Sequence, residues 1–234
     1  MSGLSILLVE DDLELRRMLV RGLEEEGFLV TTAGSGAEAM RLVAADAPPD
    51  ALIVDIGLPD ADGRDLCQAL RARGMLAPVL FLTARDAMSD RLSGFSAGGD
   101  DYVTKPFHIV EVAARMRALL KRVGASQAFE VGGLQLDPTG HQISLGERTM
   151  SLTPTEFRLL ASLAGGSARR SSSSGGSGAT LSRRELTRAG WPEGAIVHDN
   201  TLDVYLARLR RKLRDLGEDA PEIVTVHGVG YRLA

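Results

Sequence analysis

Five times between Leu4 and Arg122 a short apolar run gives way to a longer amphipathic segment, and this alternation restricts the fold more than any other feature of the chain. Leu4–Val9, Phe28–Thr32, Leu52–Asp55, Val79–Thr83 and Asp101–Thr104 are too short for buried helices and rich in β-branched residues, so they read as strands. Leu13–Glu26, Ser35–Ala45, Gly63–Arg73, Ala87–Ala97 and Ile109–Arg122 read as helices. Repeated βα units of this size imply a parallel sheet covered on both faces, a doubly wound five-stranded α/β domain. Right-handed crossovers then bring the carboxyl end of every strand to one rim, where open α/β sheets keep their sites.

That rim collects chemistry. The first strand ends in Glu10-Asp11-Asp12, the third in Asp55, and the fourth in Thr83-Ala84. The fifth leads through Tyr102 to Lys105-Pro106-Phe107. Carboxylates held close together repel unless a cation sits between them. Hard oxygen donors that only partly surround a cation suit Mg²⁺, which keeps waters and accepts phosphate oxygens. Lys105 offers a point charge and Thr83 a hydroxyl donor to a phosphoryl oxygen. The expected chemistry is phosphoryl transfer onto a carboxylate.

In these motifs, taken together, the chain resembles the receiver domain of bacterial two-component response regulators. Glu10-Asp11-Asp12, Asp55 followed by Leu58-Pro59 and Asp62-Gly63, Thr83-Ala84, and the run Asp100 to Phe107 carry the resemblance over residues 4–122. It implies Asp55 as phosphoacceptor, with a sensor histidine kinase as donor. Asp11 and Asp55 would be side-chain ligands to Mg²⁺, the Gly57 carbonyl a third ligand, and Glu10 a ligand through water. Gly57 stands where the family has a bulkier residue, which a backbone ligand does not need. Lys105 would neutralise the phosphoryl group, Thr83 would move toward it, and Tyr102 would turn inward. The implied active form is a homodimer with intersubunit pairs Arg91–Glu111, Asp101–Arg115 and Asp100–Arg122. Phosphatases with an aspartyl nucleophile are the rival enzyme class. They place a second aspartate two residues after the first, where this chain has Gly57, so an enzyme with a separate substrate is not expected.

Net charge is −4 but uneven: residues 1–128 hold 14 Lys+Arg against 19 Asp+Glu, and residues 129–234 hold 13 against 12. The asymmetry suggests two domains with different partners. A hydrophobic content of 44% with 25% charged residues is that of a soluble globular protein. No apolar run approaches the roughly 20 residues of a membrane span. No basic segment precedes the apolar stretch after Met1, which argues against a secretory signal and for a cytoplasmic protein. The single cysteine, Cys67, forbids an internal disulfide and reads as a small core hydrophobe.

After the small polar stretch 123–128, read as a linker, Phe129–Val131, Leu134–Leu136, Gln142–Leu145 and Thr149–Leu152 alternate between turns as a small antiparallel sheet. Three helices with start signals follow: Thr153-Pro154-Thr155-Glu156, Ser182-Arg183-Arg184-Glu185 and Asp199-Asn200. On the last, running to about Asp215, Leu202, Leu206, Leu209, Leu213 and Leu216 form one buried stripe. The opposite face carries Thr201, Val204, Arg208 and Arg211, flanked by Lys212 and Arg214. Such a basic face suits a helix laid in a major groove of double-stranded DNA. A terminal hairpin, Ile223 to Leu233, turns at Gly228.

Sheet, helices and hairpin resemble the winged-helix effector domain of the OmpR/PhoB subfamily. The stretches that carry this are Leu152 to Phe157, Arg208 to Leu213 and Gly228-Val229-Gly230-Tyr231-Arg232. The resemblance makes the Asn200–Asp215 segment the recognition helix and Trp191–His198 a loop facing RNA polymerase. His227 stands where the family usually has a wing arginine, which weakens that minor-groove contact or makes it pH-sensitive. Gly165–Thr180 is longer than the family's connection, and its Ser/Gly composition suits a mobile surface extension rather than an extra phosphate-contacting arm through Arg169 and Arg170. The expected organisation is a receiver over 1–122, a linker over 123–128 and an α+β winged-helix domain over 129–234.

Overall fold

The computed structural model describes residues 3–45, 48–84, 98–120, 129–171, 180–191 and 201–234, with the side chains of 166–171 left aside. The chain forms two compact units, divided between Leu120 and Lys121.

In the first unit, strands β1 (Ser5–Val9), β2 (Leu29–Ala33), β3 (Ala51–Asp55), β4 (Val79–Ala84) and β5 (Asp101–Lys105) form one parallel sheet in the order 2-1-3-4-5. Helices α1 (Leu13–Glu25), α2 (Gly36–Ala45), α3 (Gly63–Ala72) and α4 (Ile109–Leu120) link or follow them. The expected Ala87–Ala97 helix lies outside the described residues. Alternate strand residues point to opposite faces. On one face Ile6, Leu8, Ile53, Leu80, Leu82 and Val103 are buried with Leu19 and Leu23 of α1 and Val112, Met116 and Leu119 of α4. The residues between them, Leu7, Leu52, Val54 and Phe81, are buried as well. With both faces covered, the central strands must be continuously apolar, and β3 is buried along its whole length. Cys67 is part of the buried interior.

Short polar residues start the helices. Asp12 caps α1, its Oδ1 accepting from the backbone N–H of Glu14 and of Leu15, both at 2.9 Å. Asp62 caps α3 by accepting from the Arg64 N–H at 2.8 Å. Each such cap typically stabilises a helix by about 1 kcal/mol.

The second unit starts with the antiparallel sheet β6 (Phe129–Val131), β7 (Leu134–Asp137), β8 (Gln142–Leu145) and β9 (Arg148–Ser151). Helices α5 (Pro154–Ser171), α6 (Arg183–Gly190) and α7 (Thr201–Leu216) follow, then the hairpin β10 (Ile223–Val226) and β11 (Gly230–Leu233). This is the α+β winged-helix arrangement expected. Both capping boxes form: Glu156 accepts from the Thr153 N–H at 2.9 Å, and Glu185 from the Ser182 N–H at 2.8 Å. The five leucines of α7 are at most 2% exposed, each burial worth about 2 kcal/mol against an exposed side chain.

Two expectations change. Gly165 does not start a loop: α5 continues through it to Ser171, since Ala168, Arg169 and Arg170 favour a helix enough to carry two glycines. The Ser/Gly run 172–179 lies outside the described residues. Trp191 does not face outward either. It is 3% exposed and meets the Tyr205 ring edge-on at 5.1 Å, as a large aromatic beside a helix core does. Residues 192–198 of that proposed loop lie outside the described residues.

Candidate functional site

Strand register assembles the rim. Val9 pairs with Val54, Asp55 with Leu82, and Ala84 with Lys105, so Glu10, Asp55, Thr83 and Lys105 stand side by side. The Lys105 ammonium donates to Glu10 Oε2 and to Asp55 Oδ2, each at 2.9 Å. Glu10 is fully buried and Asp55 7% exposed, while Asp11 is exposed. One carboxylate oxygen from each of Glu10, Asp11 and Asp55 lies within 4.8 Å of the others. Asp12, bound up in the α1 cap, is not part of this group. Burial raises the Glu10 carboxyl above its usual range, against the pull of Lys105. Burial alone would lower the Lys105 ammonium, but hydrogen bonds to Asp55 and Glu10 hold it above its ordinary value.

Three carboxylates against one ammonium leave two negative charges, the complement of one divalent cation. All the donors are hard oxygens, and the group is open on the Asp11 side. Such a set fits Mg²⁺. Its neighbours keep the loop after Asp55 in place. Asp60 accepts from the Gly36 and Ala37 N–H groups, both at 2.9 Å, tying this loop to the start of α2. Asp62 also pairs with the Arg64 guanidinium. Gly57 is exposed, and its Cβ position would meet only Asp55 Oδ2, at 3.9 Å. Arg16 donates to the Glu10 carbonyl at 2.6 Å. Sequence reasoning missed Asp60 and Arg16, because nothing local says that an Asx residue caps a helix 24 positions upstream.

Thr83 is 1% exposed, and its hydroxyl donates to the Ala84 carbonyl at 3.3 Å. Tyr102 is already inward, 2% exposed and stacked near Phe81 with ring centroids 6.5 Å apart.

Several residues expected at the dimer face are engaged within their own chain. Asp100 is fully buried, accepting from the Arg71 guanidinium at 2.9 Å and the Val79 N–H at 3.0 Å. In this form the Asp100 carboxylate is engaged within its own chain, so a pair with a partner's Arg122 would require its release. Asp101 is also fully buried and pairs with Arg115 of its own chain at 3.0 Å, and Arg115 also reaches Glu111 at 2.9 Å. Arg91 and Arg122 lie outside the described residues.

Burial pushes the Asp101 carboxyl up to about 6, although Arg115 and the Tyr102 N–H oppose it. The folded state thus holds this proton more tightly than the unfolded chain, whose carboxyl titrates near 3.8. The resulting stability is complete below the unfolded value and is lost as pH rises through the folded one. Between about pH 7 and 4 it amounts to something on the order of 2 kcal/mol. Urea unfolding across this range should show wild type losing stability relative to Asp101→Asn as pH rises. A pH-independent difference would contradict the assignment.

In the second unit, α7 departs from the helical-wheel expectation. Val204 is half-buried, Arg208 partly exposed with its guanidinium 5.3 Å from the Tyr205 ring centroid, and Arg211 and Arg214 exposed. His227 is exposed at the hairpin turn. Thr201 is fully buried and so does not belong to an exposed face. A wheel gives an angle, not a depth, and the first turn of α7 is covered. Lys212 donates to Glu156 at 2.7 Å and to the Ser151 carbonyl at 3.2 Å. Its long stem turns inward to a buried acid, leaving Arg208, Arg211 and Arg214 as the basic stripe.

A parallel sheet with a carboxylate–lysine rim, followed by a winged helix with a basic reading face, defines a signal-receiving transcription regulator. Comparison with known proteins agrees. A family model for the response regulator receiver domain matches residues 6–117, and one for the C terminal of transcriptional regulatory proteins matches 146–233. The chain belongs to the response regulators, of the OmpR/PhoB type, and is a DNA-binding transcription regulator of this non-enzymatic kind. It is 41% identical to the response regulator MprA of Mycolicibacterium vanbaalenii over 235 residues, 97% of this chain and 96% of that protein. MprA of Mycobacterium tuberculosis is 41% identical over 234 residues, with the same coverage of both chains. Among solved structures, a mutant of RitR matches with a TM-score of 0.74 and 25% identity over 99% of both chains. The response regulator DrrB, a Thermotoga maritima OmpR/PhoB homolog, matches with a TM-score of 0.51 and 27% identity over the whole of both chains. Among the described residues no helix is long and apolar enough to cross a membrane.

Proposed function

We propose that this protein is a cytoplasmic transcription factor switched by phosphorylation of Asp55, with a sensor histidine kinase as donor and double-stranded DNA as target. The observation that carries this reading is the Lys105 ammonium, 2.9 Å from both Glu10 and Asp55. Asp55 Oδ attacks the phosphorus, the bond to the kinase histidine nitrogen breaks, and Lys105 meets the incoming negative charge. Asp11, Asp55, the Gly57 carbonyl and Glu10 through water would hold Mg²⁺, which when bound supplies charge neutralisation to the phosphoryl oxygens. Thr83 exchanges its bond to Ala84 for one to the phosphoryl group.

Thr83, with Tyr102 beside it, would transmit the change to a dimer face comprising Arg91, Asp100, Asp101, Glu111, Arg115 and Arg122. The intrachain Arg115 pairs would then be shared with a partner. The paired receivers, over residues 1–122, act through the linker 123–128 on the domains over 129–234. Those domains bind tandem half-sites through Val204, Arg208, Arg211, Arg214 and His227, and the segment after Trp191 contacts RNA polymerase.

The test is treatment of the full chain with acetyl phosphate and Mg²⁺, followed by intact mass, sedimentation and DNA binding. Wild type should gain one phosphoryl group, shift toward dimer and bind DNA more tightly; Asp55→Asn should do none of these. An unmodified wild type would remove Asp55 as acceptor. Modification without any change in DNA binding would favour a regulator that works independently of phosphate.

A further inference from the structure

A hairpin of two four-residue strands has little stability of its own and takes its direction from whatever holds it. In the second unit it is held to α7 at two points. Near the helix start, Asp203 accepts from the Tyr231 hydroxyl at 2.9 Å and from the Arg183 guanidinium at 2.8 and 2.7 Å. Arg183 also donates to the Tyr231 hydroxyl at 3.0 Å, closing a three-residue ring across α6, α7 and β11. Two turns later Arg210 donates to the Ile223 carbonyl at 2.8 Å and to the Thr225 hydroxyl at 2.9 Å, on β10. Seven residues of helix separate the two points by about 10 Å. The far edge of the hairpin is fixed by Leu181 and Tyr231, which exchange two backbone hydrogen bonds of 2.8 Å.

An acid on the helix that approaches phosphates is unfavourable unless it does something else. Asp203 is half exposed, and the Arg183 hydrogen bond, followed by that of Tyr231, holds its carboxyl below the usual range. As an isolated surface pair it would contribute little to global stability. Its geometric consequence is larger, because it sets where the hairpin stands relative to the basic stripe. We propose that Asp203, through Arg183 and Tyr231, and Arg210, through β10, form a two-point clamp that fixes the hairpin against α7 so that both reach adjacent grooves in register. Asp203 and Arg210 are then positioning residues for DNA recognition that do not themselves read bases. The inference rests on the assignment of α7 and the hairpin as the DNA-reading elements.

Net charge separates the clamp from its alternative. Removing Asp203 as a charge alone should tighten binding to every duplex equally, through added phosphate attraction. Removing it as a clamp lowers the ratio of specific to non-specific affinity. The probes are a duplex enriched by the wild-type full chain from a randomised pool and a scrambled duplex of the same length, at one salt concentration. Asp203→Ala should lower the ratio roughly tenfold, comparable to one lost base-pair contact. Tyr231→Phe, which keeps the buried ring, should lower it less, and Asp203→Asn should retain part of it. In the absence of DNA, amide exchange along 223–233 should accelerate severalfold in Asp203→Ala while the thermal midpoint stays close to wild type. Unchanged exchange, or accelerated exchange with an unchanged ratio, would overturn the clamp. If the wild type enriches no duplex at all, the DNA-reading assignment itself fails, whatever the exchange shows.

Discussion

Replacing Lys105 with methionine should cost the receiver about 3 kcal/mol at pH 7 in the presence of a chelator, the loss typical of breaking a buried ion pair from one side. Methionine keeps most of the stem and removes only the charge. What remains is Glu10, fully buried, and Asp55, 7% exposed, facing one another with no counter-ion. Two such carboxylates must separate, hold a proton between them or take up a cation. Millimolar Mg²⁺ should therefore raise the unfolding midpoint of the variant more than that of wild type, since the ion replaces a charge that wild type still has. Phosphoryl uptake from acetyl phosphate should fall by about 10²-fold, as when one donor to a developing negative charge is removed. Denaturant unfolding with and without Mg²⁺ checks the first part and intact mass against time the second. A variant as stable as wild type in chelator, with the same response to Mg²⁺, would show that Lys105 does not hold the carboxylates together.

The rim was legible in sequence because each of its residues lies at or just past the end of a strand, and parallel register does the rest. Once Val9 pairs with Val54 and Asp55 with Leu82, the ends of β1, β3 and β4 have nowhere else to be. Burial on both faces made β3 and β4 unmistakable as apolar runs. Side-chain partners chosen across loops were not legible. Asp100 and Asp101 are adjacent and look alike in sequence, yet one turns to Arg71 and the other to Arg115. Both were expected to pair across a dimer contact, and only the packing of the β5 edge shows them enclosed within their own chain. Lys212 failed for a related reason: its wheel position lies between the two faces, and the buried acid at Glu156, 56 residues away, decides which it joins. The Arg183–Asp203–Tyr231 ring spans three elements, and no spacing rule connects them.

Gly63→Ala should be the most damaging single methyl in the first unit, lowering stability by about 2–4 kcal/mol, at or above the usual range for overpacking. Helix propensity points the other way, since alanine in place of glycine near the start of α3 gains about 1 kcal/mol. The steric effect wins because the added Cβ would lie 2.1 Å from the Asp55 carbonyl oxygen and 3.0 Å from both the Asp55 carbonyl carbon and the Ile56 Cα. All three are backbone atoms, so no rotamer change relieves the overlap. The Gly63 N–H also donates to the Ile56 carbonyl at 2.9 Å, which prevents α3 from simply backing away. The displaced segment is the one that aims Asp55, so phosphoryl uptake should fall even in the fraction that stays folded. Gly57→Ala is the control. It sits in the connection between β3 and α3, but its Cβ would make only an ordinary 3.9 Å contact with Asp55 Oδ2, and stability should stay within about 1 kcal/mol of wild type. Urea midpoints for the two variants, with phosphoryl incorporation measured below the transition, separate crowding at one backbone position from a general intolerance of the loop. Equal midpoints would mean that α3 can shift as a body, and that the Asp55 carboxylate is aimed by Lys105 rather than by its backbone.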